Sequence, residues 1–155
     1  MSHVVELLKK IALFETLSSD ELERIAALAQ EETHPKGTQL FAEGDPGDAL
    51  YMINEGQVRI AKIIPGIGEE ALAILEPGSF FGEMALLDDG ARSAHAIVHK
   101  DCNLLKIERD QFDSLLFVDK ELAYQVLTGI TRVLAVRLRE TNAKIAAFFA
   151  MTKFG

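Results

Sequence analysis

Between Pro35 and about Ile107 the chain is punctuated by turn signals. Pro35-Lys36-Gly37, Gly44 to Gly47, Glu55-Gly56, Pro65-Gly66, Pro77-Gly78 and Asp89-Gly90 follow one another at roughly ten-residue intervals, too close for ordinary helices and suited to short strands joined by tight turns. The intervening stretches Gln39–Ala42, Ala49–Ile53, Val58–Ile64, Ala71–Leu75, Ala94–Val98 and Asn103–Ile107 are rich in β-branched and large apolar residues. This spacing predicts a jelly-roll β-barrel. Both flanks change period. Val4, Val5, Leu7, Leu8, Ile11 and Leu13 predict a short amphipathic helix, and Ser18-Ser19-Asp20-Glu21 is a capping box for a second that carries Leu22, Ile25 and Leu28. Residues 1–34 are therefore expected as a helical lead-in, 35–107 as the β region, and 108–155 as helices: a short one over Gln111–Phe117 and a long one over Lys120–Phe148. The architecture expected is mainly β with flanking helices.

The long helix carries Leu127, Thr131, Leu134, Leu138, Thr141, Ile145 and Phe148 at alternating intervals of four and three, the seam of a coiled coil. Such a seam needs a cover, either a second copy of the helix in a homodimer or the barrel itself.

The 155 residues, 48% of them hydrophobic, suffice for one core. A net charge of −8 argues against a nucleic-acid footprint, which needs many Lys and Arg residues to neutralise phosphates. The lone Cys102 cannot form an intrachain disulfide, which points to the cytoplasm, and no apolar run is long enough to span a membrane. Four histidines invite a test for metal. His95 and His99 would lie about 13 Å apart along one strand face and cannot share an ion. His3 and His34 fall elsewhere, and no carboxylate completes a cluster, so neither metal nor cofactor is expected. No Ser, Cys or Lys has a base at motif spacing, so the chain is not expected to be an enzyme.

The chemistry concentrates in Phe81-Gly82-Glu83-Met84-Ala85-Leu86-Leu87-Asp88-Asp89-Gly90-Ala91-Arg92-Ser93-Ala94. An acid and a base stand ten residues apart around a short apolar turn. Gly82 lets backbone approach a ligand, and a single helical turn begun near Glu83 would favour an anion. Arg92 supplies a fork of donors suited to a phosphate, and Glu83 can accept from a ribose hydroxyl. An acid inside an apolar run has no evident structural purpose. Buried without partners, either charge costs several kcal/mol or more.

This segment resembles the phosphate-binding cassette of the cyclic nucleotide-binding domain family, with its F-G-E opening and its R-[ST]-A close. Gly44-Asp45-Pro46-Gly47-Asp48, Glu55-Gly56-Gln57-Val58 and Glu76-Pro77-Gly78-Ser79-Phe80 are similar to the family's turns, in order, and the likeness covers about residues 10 to 150. His95 departs from the family's usual Thr or Ser. The resemblance implies a sensor for a cyclic nucleotide, foremost cAMP, in which Gly82, Glu83, Met84 and Ala85 hold the ribose. It further implies Arg92, Ser93 and Ala94 on the phosphate, with Ala94 small enough for its N–H to come close. Matching without gaps to a family member sets Ile60, Leu72 and Leu75 as walls for base and sugar; as ordinary core residues they would read the same. The base edge falls to the long helix, where two alignments differ by one turn: one places Thr141 and Asn142 at the base, the other Arg137 and Leu138. Occupancy would be relayed through that helix to a downstream protein. The family's transcription factors carry a helix-turn-helix after it, and the run Ala150 to Gly155 leaves no room for one, so direct DNA contact is not expected. A dimerisation module of the same fold without ligand is the alternative.

Overall fold

The structure, a computed structural model, describes residues 2–83 and 91–154. The elements run α1 (His3–Leu8), a 3-10 turn (Ala12–Phe14), α2 (Ser19–Ala26), β1 (Ala29–His34), β2 (Gln39–Phe41), β3 (Ala49–Ile64), β4 (Gly68–Leu75), β5 (Phe80–Phe81), β6 (His95–Glu108), α3 (Arg109–Val118) and α4 (Lys120–Phe154). The first helix is shorter than the apolar spacing predicts, because its last two apolar positions fall at and beside the 3-10 turn. The capping box forms as expected: the Ser18 hydroxyl accepts from the Glu21 N–H and the Glu21 carboxylate accepts from the Ser18 N–H.

All strand pairs are antiparallel, in the order β1-β6-β3-β4, with β2 added on β6 and β5 on β3. Among the described residues this path ends at β1 and β4, so the sheet is open where a closed barrel was expected. Two further differences concern strand count. Ala49–Ile53 and Val58–Ile64 form one strand, and so do Ala94–Val98 and Asn103–Ile107, because β3 and β6 bend together through register shifts between Ile53 and Val58. A bulge bends a ladder without ending it. Gly56 makes the bend possible: its φ is +88°, and a Cβ there would lie 2.2 Å from the Asp101 carbonyl oxygen. The segment Ala29–His34, read as part of the helical lead-in, is strand β1 at the sheet edge.

Both faces of the β3–β6 ladder are buried, against different neighbours. Leu50 and Met52 of β3, with Phe80, Leu105 and Ile107, point into a core shared with the helices, where Leu8, Ile11, Phe14, Ile25, Phe112, Leu122, Val126 and Ile130 meet them. Ala49, Tyr51 and Ile53, one residue out of phase, join Phe81, Val58, Ala96, Val98 and Leu104 in a second core enclosed by strands. Two-residue alternation with both faces covered explains why Ala49–Ile53 is continuously apolar.

Helix α4 lies against the first core through Leu122, Val126 and Ile130, and Val133 and Leu134 continue the contact half-buried. It crosses the 3-10 turn closely at Gly129, where a Cβ would stand 3.0 Å from both the Leu13 carbonyl oxygen and its side chain. The seam predicted from Leu127 to Phe148 runs beside this packed stripe, and only Leu134 of it is half-buried.

Candidate functional site

The two cores meet at β5. Phe80 enters the helix-facing core and Phe81 the strand-enclosed one, so the chain leaves β5 between them at Gly82. Gly82 has φ +85°, and an added Cβ would stand 2.6 Å from Arg92 Nη1 and 2.9 Å from the Ala49 carbonyl oxygen. Only glycine fits there without displacing the arginine.

Arg92 is buried. Its Nη1 donates to the Gly82 carbonyl at 3.1 Å and its Nη2 to the Ala49 carbonyl at 2.8 Å, with Asp48 Oδ1 at 3.5 Å from Nη2. The guanidinium carbon sits 4.1 Å from the centre of the Phe41 ring. Its Nε is buried with no hydrogen-bond partner among the described residues. Burial pulls the Arg92 pKa below the ordinary guanidinium value, opposed by Tyr51, Asp48 and Glu83. A guanidinium starts so high that it stays charged at any ordinary pH.

The backbone of Arg92 is braced by the β2–β3 turn. Gly44 N–H donates to the Arg92 carbonyl at 2.8 Å, Arg92 N–H donates to the Asp45 carbonyl at 2.7 Å, and Pro46 bridges Ala91. The Asp45 carboxylate caps its own turn by accepting from the Ala42 N–H. The Gly-Asp-Pro-Gly-Asp turn thus fixes where the arginine begins, while Asp48 stands near where it ends.

Glu83 is buried too, and its partner is not Arg92. Glu83 Oε1 accepts from Arg137 Nη1 at 2.8 Å, and Arg137 Nη2 donates to the Phe80 carbonyl at 3.0 Å. The second arginine of the site therefore comes from α4 and ties that helix to both sides of Gly82. One such bond leaves a carboxylate with unused acceptor sites.

These groups border a cavity of about 200 Å³, with Ile60, Ala73, Leu75 and Phe81 as its apolar lining and Glu83 and Arg92 among its polar groups. The cavity falls below the usual few hundred Å³ of a ligand pocket, and Arg137 is part of its wall. Gly82, Glu83, Arg92, Ser93, Ala94 and Arg137 are brought together here. Met84 and Ala85, with the helical turn expected after Glu83, lie outside the described residues. Thr141 and Asn142 are exposed on α4 and do not border the cavity; the Thr141 hydroxyl donates to the Arg137 carbonyl at 2.9 Å. Of the three expected apolar walls, Ile60 and Leu75 line the cavity, but Leu72 is half exposed and Ala73 stands in its place. The β3–β4 register shifts here, pairing Ile60 with Ala73 and Ala61 with Ala71, so Leu72 is the extra residue of a bulge.

Phe41, Ala73 and the Ala49 carbonyl belong to the site without any signal in local spacing, since each arrives from a separate strand. The histidines are engaged elsewhere. His95 Nδ1 accepts from the Glu43 N–H, His99 bonds Arg59, and His3 and His34 pair with Glu31 and Glu32. Among the described residues no three His, Cys, Asp or Glu side chains gather as metal ligands. Cys102 is buried, its single S–H lies within reach of the Gln57 and Lys100 carbonyls, and burial raises its pKa. Among the described residues no helix is long and apolar enough to cross a membrane.

Known proteins are similar to this chain in sequence and in fold. The cyclic nucleotide-binding domain family matches residues 31–119. The cyclic AMP receptor protein of Thermus thermophilus is 36% identical over 138 residues, covering 89% of this chain and 62% of the receptor. A cGMP-dependent protein kinase, egl-4 of Caenorhabditis briggsae, is 33% identical over 117 residues, which is 74% of this chain and 16% of the kinase. The crystal structure of a cyclic nucleotide-binding domain from Methylobacillus flagellatus KT matches with a TM-score of 0.80 and 32% identity, covering 92% of this chain and 80% of that one. The chain spans about three-fifths of the length of the bacterial regulators it matches. By sequence and by fold, the chain belongs to the cyclic nucleotide-binding domain family.

Proposed function

We propose that the chain is a cyclic nucleotide sensor whose preferred ligand is cAMP. The observation that supports this reading is Arg92, a buried guanidinium whose Nε has no partner among the described residues, beside a cavity that also holds a buried carboxylate. A cyclic phosphate supplies one negative charge and acceptor oxygens for that guanidinium. Gly82 and Glu83, with Met84 and Ala85, would take the ribose, Glu83 accepting from its hydroxyl through sites that Arg137 leaves unused. Ser93 would add a hydroxyl donor to the phosphate and Ala94 a close backbone N–H. Ile60 and Leu75 would flank the purine. Arg137, which lines the cavity, would be the α4 residue that meets ligand within one chain; Thr141 and Asn142, one turn further, would meet it only from a second copy or after a shift of the helix. Recognition needs no cofactor and involves no catalysis.

Occupancy would be reported through α4. A ligand that competes with or reinforces the Arg137–Glu83 bond changes what holds the helix, and it shifts the helix only by its differential affinity for two helix positions. The working unit would be a cytoplasmic homodimer that passes the shift to a downstream protein. The choice of cAMP over cGMP is supported by the relative named as a cyclic AMP receptor, which at 36% identity is closer in sequence than the cGMP-dependent kinases at 33%.

Thermal unfolding in a panel of cyclic nucleotides tests the reading. A ligand at a hundred times its dissociation constant adds about 2.7 kcal/mol to stability. cAMP is expected to give the largest shift, and Arg92→Ala to cut it to about a third or less through a binding loss of about 2 kcal/mol or more. A panel with no shift for any cyclic nucleotide rejects the sensor.

A further inference from the structure

We infer that Phe41 is a positioning residue for the anion, acting on the single rotation that the protein's hydrogen bonds leave open to Arg92. This rests on the reading of Arg92 as the phosphate holder. The guanidinium is pinned at two points: Nη1 on the Gly82 carbonyl and Nη2 on the Ala49 carbonyl. Two points fix a line and leave rotation about it. That rotation, taken up by the side-chain torsions, tilts the planar group as a whole and re-aims Nε–H, the donor with no partner among the described residues. The face of the Phe41 ring, 4.1 Å from the guanidinium carbon, blocks the swing on one side.

The ring is itself held. Phe41 packs against Tyr51 at 6.0 Å and Phe81 at 6.1 Å between ring centres, and those two stack on each other at 5.1 Å with planes 7° apart. Phe41 also borders the cavity, so it sits where a tilt of the guanidinium would be felt by a ligand. Attraction between a guanidinium and a ring face strengthens with shielding from water, and here Arg92 is buried and Phe41 half-buried. The backbone carbonyls thus set where the fork lies, and the ring sets which way its remaining edge points.

The test uses three proteins: wild type, Phe41→Leu, which keeps apolar bulk without a ring face, and Phe41→Tyr, which keeps the face. Each is titrated with cAMP and with the Sp and Rp phosphorothioate analogues, in which sulfur replaces one or the other exocyclic phosphate oxygen. Sulfur accepts hydrogen bonds poorly, so the ratio of the two affinities reports how the fork is aimed. Phe41→Leu is expected to weaken cAMP roughly tenfold and to shrink the Sp/Rp ratio several-fold, with Phe41→Tyr restoring the ratio. A ligand-free arm follows the Arg92 Nε–H resonance, which the ring should displace upfield in wild type and Phe41→Tyr but not in Phe41→Leu. Equal losses for both diastereomers, or a resonance that Phe41→Leu leaves in place, overturn the inference while the sensor reading stands. A wild type with the displaced resonance but no affinity for any of the three nucleotides instead fails the sensor reading, and the role in anion binding falls with it.

Discussion

Helix α4 is two different objects joined at Arg137. Up to that residue it is part of the domain, with Leu122, Val126 and Ile130 at zero exposure. Beyond it every residue from 138 to 153 is exposed, including Leu138, Ile145, Phe148, Phe149 and Met151 at between 48% and 72%. The residue chemistry of the two halves is alike, since both repeat large apolar side chains at helical spacing. The difference teaches that such spacing reports a face to be covered and says nothing about what covers it. The first half finds its cover in the chain's own sheet. The second half would find it in a second copy, under the proposed function, and Arg137, bonded to Glu83 and Phe80, stands where one regime gives way to the other.

The comparison breaks most directly by deleting the same side chain in each half. Ile130→Ala opens a cavity in the helix-facing core and is expected to cost about 3 kcal/mol in denaturant unfolding, whereas Ile145→Ala should change unfolding of the isolated chain by less than about 0.5 kcal/mol. Equal losses would mean that the distal half is packed within one chain. At the boundary, Arg137→Ala removes the partner of a buried carboxylate and should destabilise the fold by about 2 kcal/mol, an effect that Glu83→Gln in the same background largely relieves. Double-mutant unfolding with no coupling between the two positions would show that the bridge is not what ties α4 to the site.

A charge in the distal half sharpens the contrast from the other side. Ile145→Glu should leave folding intact and weaken self-association by roughly tenfold or more, measured by sedimentation, because it sets like charges along a shared seam. Leu134 is less suited to this test, since it packs on the core and a charge there harms both regimes. A wild type that is monomeric at tens of micromolar, roughly, removes the proposed cover for the distal half. The smallest effect belongs to Thr141→Ala. If this side chain meets the purine across a dimer, its loss should cost about 1 kcal/mol for cAMP and narrow the preference over cGMP in binding isotherms. With Arg137 alone on the base, Thr141→Ala leaves both affinities unchanged.

What could be read in the sequence was whatever is encoded locally. The capping box at Ser18 and the turns at Gly37, Gly44, Gly66 and Gly78 are short-range patterns that form where they were expected, and Gly82, Glu83 and Arg92 border one cavity. Strand β1 escaped because Gln30-Glu31-Glu32 at a sheet edge gives no apolar alternation; its charges suit an edge better than an interior. The fusion of four expected strands into two escaped because a glycine with turn chemistry can equally serve a bulge, and only the partner strand decides. Glu83 could be recognised as an acid needing a partner, but its partner Arg137 lies 54 residues on, outside any window that periodicity or spacing can examine. Phe41 was harder still. Its role depends on three strands converging, and its own neighbours Leu40 and Ala42 carry no hint of an arginine.

Under the proposed relay, the close crossing at Gly129 would give α4 mechanical advantage. With Leu13 3.0 Å from where a Cβ would be, that point is the natural fulcrum of the rod. Arg137 lies eight residues beyond it and Met151 twenty-two, about 12 Å and about 33 Å along the axis at the helical rise. A tilt that moves Arg137 by ~1 Å at the site would carry the far end by nearly ~3 Å, and a substitution that loosened the fulcrum would blunt the stroke without touching a single residue that meets ligand.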